Sequence, residues 1–261
     1  MKFLKRAAAL ALACVLAVGA AACSTASGTY RTIRTLETGA LARGYRTDDV
    51  CAVYVEAALR ELAAGNTIHS LAVKWFGEDA VSFEGEDGAV EALGLIPKRE
   101  LIVGIDPTAY PLSYAVGKGY SGFDVELAKL VGDLLGWEVR YQPIDPGDVY
   151  IELSSGNIDC AWGGLRLDPE EKKFMVTASY MQDDIVLVSR ASTKYRTVGR
   201  LADAKVLGLD NAAFHNAVDT ALPELNVTWV DDGNARDLFS SLDQGDAAAL
   251  VTSSSALLCF E

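Results

Sequence analysis

The chain has 261 residues, enough for one large domain or for two smaller lobes that each bury a core. Apolar residues make up 50% of it and charged residues 23%, a balance that excludes an intrinsically disordered chain. The formal net charge is −13. Because an acidic chain repels phosphate backbones, we expect no nucleic-acid partner.

The first residues have the layout of an export signal. Basic residues near the start are followed by an Ala-rich apolar stretch, which is too short and too rich in Ala for a good membrane span. We therefore interpret residues 1–22 as a signal peptide. Cys23 directly follows three alanines, which is similar to a bacterial lipobox and predicts lipidation of Cys23, with a polar tether over 23–29. Cleavage after an Ala-x-Ala site without a lipid is the alternative.

The cysteines and histidines give no pattern of metal ligands. Outside the export segment the cysteines are Cys51, Cys160 and Cys259, an odd number that permits at most one disulfide. The chain has no Cys-x-x-Cys pair and only two histidines. We therefore predict no metal site and no cofactor.

Short strands and amphipathic helices are predicted before the middle of the chain. Residues 30–34 and 40–46 have the pattern of strands. Apolar residues recur at helical spacing over 50–64 and again over 68–76. The acidic, Gly-containing stretch 77–97 is interpreted as a connector.

From residue 101 onward, strands and helices alternate. Strands are predicted at 101–105, 138–141, 158–162, 185–188, 205–209, 227–230 and 247–251. Helices are predicted from Asp124, over 146–153, from Asp168-Pro169, and over 212–221 and 233–243. Asp124 is interpreted as an N-cap, and Pro169 as the first residue of its helix. Such alternation is typical of two α/β lobes with mainly parallel sheets.

Several motifs follow one another in the middle of the chain. They are Leu101 to Asp106, Tyr110 to Leu112, Gly122 to Ala128, Leu153 to Gly164, and Asp168 to Tyr180. Together, their order and spacing resemble the family 3 extracellular solute-binding proteins, which supply amino acids to ABC importers. The resemblance implies a two-lobed, type II periplasmic-binding-protein-like (Venus-flytrap) fold.

The segments that resemble the end of the family's chain stand here before those that resemble its start. In the family, a strand, a helix, a Gly-Thr turn and a helix ending in Lys-Trp-Phe-Gly come last. The matching segments here are Gly44 to Asp49, Ala57 to Ile68, and Lys74 to Gly77. The resemblance therefore implies a circular permutation, with the connector near 78–98 joining the ancestral ends. A remnant of a tandem duplication or a misassembled gene is the alternative.

The permuted order implies lobes that are discontinuous in sequence. Residues 43–183 would form lobe 1. Residues 190–261 would form lobe 2, completed by a strand from 30–36. Two crossings, at 37–42 and 184–189, would form the hinge.

The resemblance also implies a ligand site in the cleft between the lobes. In the family, an Arg and backbone N–H groups hold the carboxylate of an amino acid, an Asp holds its ammonium group, and aromatic rings enclose its side chain. A zwitterion taken out of water needs such fixed partners. The candidate ligand-binding residues here are Asp106, Tyr110, Trp162, Gly163, Gly164, Arg166, Asp210 and Asn211. We predict no catalytic residue.

The chain departs from the family pattern at several site positions. Glu171 stands where the family has its carboxylate-binding Arg, and no acid stands near Thr252, where the family has its Asp. Arg166 is either a substitute partner for the carboxylate or a surface charge. The loop Asp210 to Ala213 lacks the usual hydroxyl residue, although N–H groups at a helix start are able to hold an anion.

Other candidates have structural interpretations as well. Asp106 follows a strand, where open α/β sheets place ligands, but it is also suited to a cap or a hinge hydrogen bond. Trp162 is either a stacking surface or a buried strand residue. His69 is predicted to face solvent, and His215 lies in the first turn of its helix. Gly117 to Gly122 matches a nucleotide-binding pattern but resembles a hairpin tip, so we predict no nucleotide site.

The resemblance implies a monomeric extracytoplasmic lipoprotein that is anchored to the membrane by its lipid. It would carry an amino acid or a related small polar solute to an ABC transporter permease, without being an enzyme. One alternative is a degenerate lipoprotein that binds no solute and acts as a receptor or scaffold. Another is a dehydratase-like enzyme on the same fold, with a carboxylate such as Glu171 as acid or base.

Overall fold

The computed structural model describes residues 28–231 and 234–261. The predicted signal peptide and the predicted lipidation site, Cys23, lie outside the described residues, as does most of the predicted tether. Within the described part, no helix has the length and apolar character needed to cross a membrane.

Fourteen strands occur in the described residues. They are β1 Tyr30–Glu37, β2 Ala40–Leu41, β3 Gly44–Tyr45, β4 Glu100–Ile105, β5 Tyr114–Val116, β6 Gly119–Ser121, β7 Glu138–Pro143, β8 Cys160–Ala161, β9 Met175–Val176, β10 Met181–Gln182, β11 Ile185–Arg190, β12 Val206–Leu209, β13 Val227–Val230 and β14 Ala249–Ser253.

The same part of the chain contains seven α-helices. They are α1 Cys51–Ala64, α2 Thr67–Phe76, α3 Phe123–Leu135, α4 Val149–Ser155, α5 Ala212–Ala221, α6 Ala235–Gln244 and α7 Ser254–Leu258. Single 3-10 turns occur at Glu91–Leu93, Pro146–Asp148 and Val198–Arg200.

The first sheet has the strand order β7-β4-β8-β3-β9. β4 runs parallel to β7 and β8, while β3 runs antiparallel to β8 and β9. A strand from before α1 is therefore inserted between two strands from the middle of the chain.

Helices α1, α2 and α3 share the main core with the first sheet. β4 contributes Leu101 and Val103 to this core. α2 contributes Phe76, whose ring lies 5.1 Å from the ring of Phe123 in α3. The apolar stripe of α2 is thus buried against elements that follow the connector, which provides the free energy that holds this segment in place.

The connector is attached to the first sheet's layer by defined contacts. The Ser82 N–H donates to the Tyr180 carbonyl at 2.7 Å. The Phe83 ring lies 5.5 Å from the Tyr180 ring, and the Val90 N–H donates to the Glu61 carboxylate at 3.1 Å.

The second sheet has the strand order β1-β11-β14-β12-β13. β12 is parallel to β13 and β14, and β11 is antiparallel to β14. β1 forms one edge, antiparallel to β11, with Tyr30 opposite Arg190 and Glu37 opposite Ile185. Apolar residues are buried on both faces of this sheet, where α5 and α6 contribute to the two cores.

The chain passes between the two sheets twice, and the two passages lie side by side. β2 pairs antiparallel with β10, and beyond this pair the Asp183 N–H donates to the Gly39 carbonyl at 2.8 Å. The sequence predicts the second crossing at 184–189, but Ile185 to Arg190 form β11 of the second sheet. This stretch is a strand because its apolar side chains are buried on both sides of that sheet.

The helix predicted from Asp168-Pro169 is wrong. The segment is a turn in which Asp168 Oδ1 accepts a hydrogen bond from the Glu170 N–H at 2.8 Å. The Glu171 carboxylate accepts from the N–H groups of Lys172 and Lys173 at 2.7 and 2.9 Å. These local bonds compete with a helical ladder, and the charged residues after Pro169 provide no apolar stripe to bury.

The interpretation of Asp124 as an N-cap is also wrong. The cap position is Gly122, with φ 139°, and a Cβ there would lie 2.1 Å from the Leu112 carbonyl oxygen. This close approach requires glycine and places Asp124 inside the first helical turn, where its side chain is buried. The predicted hairpin tip at Gly117 does join β5 and β6.

Cys51, Cys160 and Cys259 are free thiols. Burial raises the pKa of Cys51 to about 12 and that of Cys259 to about 11. These thiols are therefore protonated at neutral pH and are poor nucleophiles.

Candidate functional site

A cavity of about 780 Å³ lies between the two sheets. One wall comes from the loops after β4, β7 and β8, and the other from the loops after β12 and β14. Parallel strands of α/β sheets direct their carboxyl ends to such crevices. Of the eight predicted ligand-binding residues, six line the cavity: Asp106, Tyr110, Gly164, Arg166, Asp210 and Asn211.

Trp162 and Gly163 do not line the cavity. The Trp162 side chain is 0% exposed, and its Nε1–H donates to Asp124 Oδ1 at 3.1 Å, so its predicted role as a stacking surface is wrong. Gly163 has φ 111°, and its carbonyl accepts the Asp106 N–H at 3.0 Å. A Cβ at Gly163 would lie 2.7 Å from Ile105 Cγ2. Both residues shape the backbone beneath the cavity.

Asp106 lines the cavity while being only 6% exposed. Its Oδ1 accepts hydrogen bonds from the Thr108 N–H at 2.8 Å and from the Thr108 hydroxyl at 2.7 Å. Burial raises the pKa of Asp106, against the Thr108 hydrogen bonds, and the Asp145 carboxylate raises it further. The side chain therefore makes the capping bond foreseen for it and also presents a carboxylate to the cavity.

Arg166 extends along the cavity wall and is held by Asp183. Its Nε–H donates to the Asp183 carbonyl at 2.9 Å, and its Nη2 lies 2.7 Å from Asp183 Oδ2. Asp183 Oδ1 accepts the Ser255 N–H at 3.0 Å, which connects this pair to α7 beside the second sheet. A Cβ at Gly39 would lie 3.0 Å from Arg166 Cδ, so a residue without a side chain leaves room for the arginine.

The start of α5 forms part of the opposite wall. Asn211 is its N-cap, and Oδ1 of Asn211 accepts from the N–H groups of Ala213 and Phe214 at 2.9 and 3.4 Å. The Asn211 side-chain amide donates to the Thr108 hydroxyl at 3.4 Å, which is a contact between the two walls.

Asp210 precedes this cap and is paired with His215. Asp210 Oδ1 lies 2.7 Å from His215 Nε2, and the His215 ring stacks on Trp229 with centroids 3.9 Å apart. Hydrogen bonds with Asp231 and His215 lower the pKa of Asp210 below its ordinary value. His69 is exposed, as predicted, and pairs with Asp79 at 2.6 Å.

Tyr110 supplies an aromatic surface to the cavity. Its ring centroid lies 5.0 Å from that of Tyr114 and 5.9 Å from that of Phe260 near the C-terminal end. Burial is the main reason that its pKa is raised. The phenol is therefore neutral at physiological pH.

Glu171, the carboxylate named for a dehydratase-like reaction, does not line the cavity. Its hydrogen bonds go to the N–H groups of its own turn, and these lower its pKa. Thr252 does line the cavity, together with Val251 and Ser253.

Three carboxylates of the cavity wall were missed from the sequence: Glu37, Asp145 and Asp183. Asp145 carries a usable signal, since it follows the carboxyl end of β7 just as Asp106 follows that of β4. Glu37 ends β1 and Asp183 lies between β10 and β11, so only the pairing of these distant strands brings the two carboxylates to the cavity.

The fold and the site define the class of a two-lobed α/β binding protein with a cavity between its sheets whose lining includes charged side chains. A sequence profile of the bacterial extracellular solute-binding proteins, family 3, matches residues 101–253, which is more than half of the chain. The chain belongs to this family of extracellular solute-binding proteins.

Similar proteins bind amino acids. The chain is 32% identical over 111 residues to the arginine-binding extracellular protein ArtP of Bacillus subtilis (strain 168), an alignment that covers 39% of this chain and 44% of ArtP. The ancestral cationic amino acid solute binding protein AncCDT-1 is 26% identical with a TM-score of 0.47, over 59% of this chain and 69% of that one. A histidine-bound ABC uptake transporter substrate binding protein from Streptococcus pneumoniae is 24% identical with a TM-score of 0.44, over 60% and 67% of the two chains.

Proposed function

We propose that this protein captures an amino acid or a related small polar solute in the cavity between its two lobes and delivers it to the permease of an ABC importer. The observation that carries the proposal is a cavity of about 780 Å³ with charged groups on both walls, in a chain of this family. Small-molecule sites have volumes of about 300–1,000 Å³ and a few placed polar groups.

Contacts of the solute with both walls explain how binding would close the two lobes. Asp106 and Arg166 lie on one wall, Asp210 and Asn211 on the other. A solute that contacts both walls stabilises the closed arrangement relative to an open one, because it loses half its partners when the walls separate. The paired passages β2 and β10 are the place where such a hinge would bend.

The export signal and Cys23 support an extracytoplasmic location with a lipid anchor in the cell membrane. Glu171 does not line the cavity, so the carboxylate named for the dehydratase-like alternative lies outside the proposed site. A protein of this kind acts as a monomer that presents its cavity side to the permease.

The proposal includes the permuted chain order. Lobe 1 comprises residues 43–183, and lobe 2 comprises 30–36 together with the chain from β11 onward. Two contacts support this: β1 is the edge strand of the second sheet, and α2 packs beside β4. In addition, a Cβ at Gly28 would lie 2.9 Å from Glu261 Oε1, so the first and last described residues are neighbours in space.

Calorimetric titration and thermal unfolding with the common amino acids, amines and organic acids test the binding role. A ligand at one hundred times its Kd raises the free energy of unfolding by about 2.7 kcal/mol, or the Tm by roughly 5 to 10 °C. Tyr110→Ala removes a ring from the cavity wall and is expected to weaken binding about ten-fold or more, whereas the exposed Tyr150→Ala is its matched control. If no compound of the panel binds, the proposed binding role is wrong and the receptor or scaffold role is favoured.

A further inference from the structure

The cavity wall carries an excess of negative charge. Its lining includes the five carboxylates of Glu37, Asp106, Asp145, Asp183 and Asp210. Within the described residues the only basic side chain of the lining is Arg166, which leaves an excess of four negative charges. Like charges facing one cavity repel each other, and a bound cation removes this repulsion.

The groups suited to holding a carboxylate already have partners in the cavity wall, although Arg166 keeps further N–H donors. Arg166 directs Nε and Nη2 to Asp183, so its charge is neutralised within the wall. The N–H groups of Ala213 and Phe214 at the start of α5 are satisfied by the Asn211 side chain. A ligand carboxylate would meet the remaining N–H donors of Arg166 next to the Asp183 carboxylate, which repels it, and would have to displace the Asn211 side chain at the start of α5.

Asp106, in contrast, is suited to holding a positively charged group. Its carboxylate is 6% exposed and lines the cavity, and both side-chain hydrogen bonds that it makes within the described residues fall on Oδ1. Oδ2 thus remains for a ligand. Asp145 is close enough to raise the pKa of Asp106, so a cation between the two would be attracted by both.

A metal ion does not account for these carboxylates. Across 28–231 and 234–261, no three His, Cys, Asp or Glu side chains are grouped so that they would hold one. A cavity of about 780 Å³ with Tyr110 on its wall suits a small organic molecule.

We propose that the ligand is an organic cation without a carboxylate, an amine or guanidine whose positive group pairs with Asp106 and Asp145. The inference rests on the proposed function, since it assigns the ligand class of the same cavity. Apolar parts of the ligand lie against Tyr110 and the β14 side of the wall.

Titration with matched pairs that differ only in the carboxylate tests the inference. The pairs are agmatine with L-arginine, putrescine with L-ornithine, and cadaverine with L-lysine. We expect at least one amine to bind ten-fold or more tightly than its amino acid. Tighter binding of the amino acid in every pair that binds, or binding of zwitterionic amino acids alone, overturns the inference and leaves the proposed function intact. If no amine binds, the inference fails; the proposed function fails as well only if the amino acids and organic acids also do not bind.

Asp106→Asn supplies the second measurement. The amide oxygen still accepts from Thr108, so the fold is preserved, while the charge is lost. We expect affinity for the best amine to fall at least ten-fold. The control is Asp133→Asn, an exposed carboxylate paired with Lys129, which leaves the affinity unchanged. Equal affinity of Asp106→Asn and the unmodified protein, with equal Tm values, would also overturn the inference.

Discussion

Asp124 is a buried carboxylate that connects three parts of the first lobe. It accepts hydrogen bonds from Trp162 Nε1 at 3.1 Å, from the Tyr180 hydroxyl at 2.8 Å and from the Gly164 N–H at 3.0 Å. Gly164 lines the cavity, so this network fixes the backbone of the site from beneath. Burial raises the pKa of Asp124 to about 6, although the hydrogen bonds lower it.

Asp124→Asn is expected to destabilise the protein by about 1–3 kcal/mol. The amide has one acceptor and one donor group, so one of the donors from Trp162 and Gly164 would face an N–H group. Denaturant unfolding measures the change. Asp133→Asn on the same helix should stay within about 0.5 kcal/mol, and an equal loss in both variants would contradict the role given to Asp124.

The destabilisation caused by Asp124→Asn should depend on pH. The folded pKa of about 6 lies above the ordinary value of 3.8, so the folded protein binds more protons than the unfolded chain between these values. The contribution of Asp124 to stability is therefore largest below pH 4 and is lost as the pH rises through 6. The difference in unfolding free energy between the two proteins should be larger at pH 4.5 than at pH 7.5. If the difference in unfolding free energy instead increases with pH, the pKa of Asp124 is not raised in the folded protein.

At the scale of elements, β1 is attached to the second sheet by one buried tyrosine as well as by strand pairing. The Tyr30 ring lies 5.1 Å from the Phe239 ring, edge to face, and its hydroxyl donates to Asp243 at 2.9 Å. Tyr30→Ala should cost about 3–5 kcal/mol, the range for buried aromatic residues, as measured by unfolding. Tyr150→Ala, at a side chain that is 44% exposed, is the control. A small effect at Tyr30 would mean that β1 is dispensable.

The N-cap of α5 is expected to affect both stability and the choice of ligand. Asn211→Ala should lower stability by about 1 kcal/mol and free the N–H groups of Ala213 and Phe214. These groups can then donate hydrogen bonds to an anion, so the proposed preference for agmatine over L-arginine should shrink. Asn234→Ala removes the N-cap of α6, whose Oδ1 accepts the Asp237 N–H at 3.0 Å. Asn234→Ala should lower stability by a similar amount without changing the relative affinity for agmatine and L-arginine. If both variants change this relative affinity equally, the Asn211 side chain does not block an anion site.

At the scale of the whole molecule, the proposed circular permutation predicts that the chain can be rearranged into the family's order. A chain that starts at Lys98, ends at Pro97 and joins Glu261 to Gly28 through a short Gly-Ser linker should fold with a Tm within about 4 °C of the original. The new ends fall in an exposed stretch, where Leu95 is 95% exposed, and the joined ends are neighbours in space.

The control for this rearrangement carries the same joint but opens the chain between Val103 and Gly104. It cuts β4, the strand between β7 and β8 in the first sheet, and should not fold. Circular dichroism and thermal unfolding compare the two chains. If the first chain also fails to fold, the present order is required by the fold.

Periodicity in the sequence located most of the regular elements. The predicted helix over 50–64 is observed at Cys51–Ala64, and that over 212–221 at Ala212–Ala221. Each of these helices buries one face, and burial of one face places apolar residues at helical spacing along the sequence. The turn at Asp168 was predicted as a helix because its cap and proline are local signals, whereas the apolar stripe that would stabilise a helix is missing.

The sequence by itself determined the family, the α/β class and six residues of the cavity lining out of the eight that it predicted, because motif order and strand ends are properties of the chain. Only the tertiary structure decided that Trp162 is buried, that Arg166 is paired with Asp183 and that Glu37 and Asp145 face the same cavity. The direction of a side chain depends on strand pairing and on the neighbours that pack against it, and those neighbours come from distant parts of the sequence.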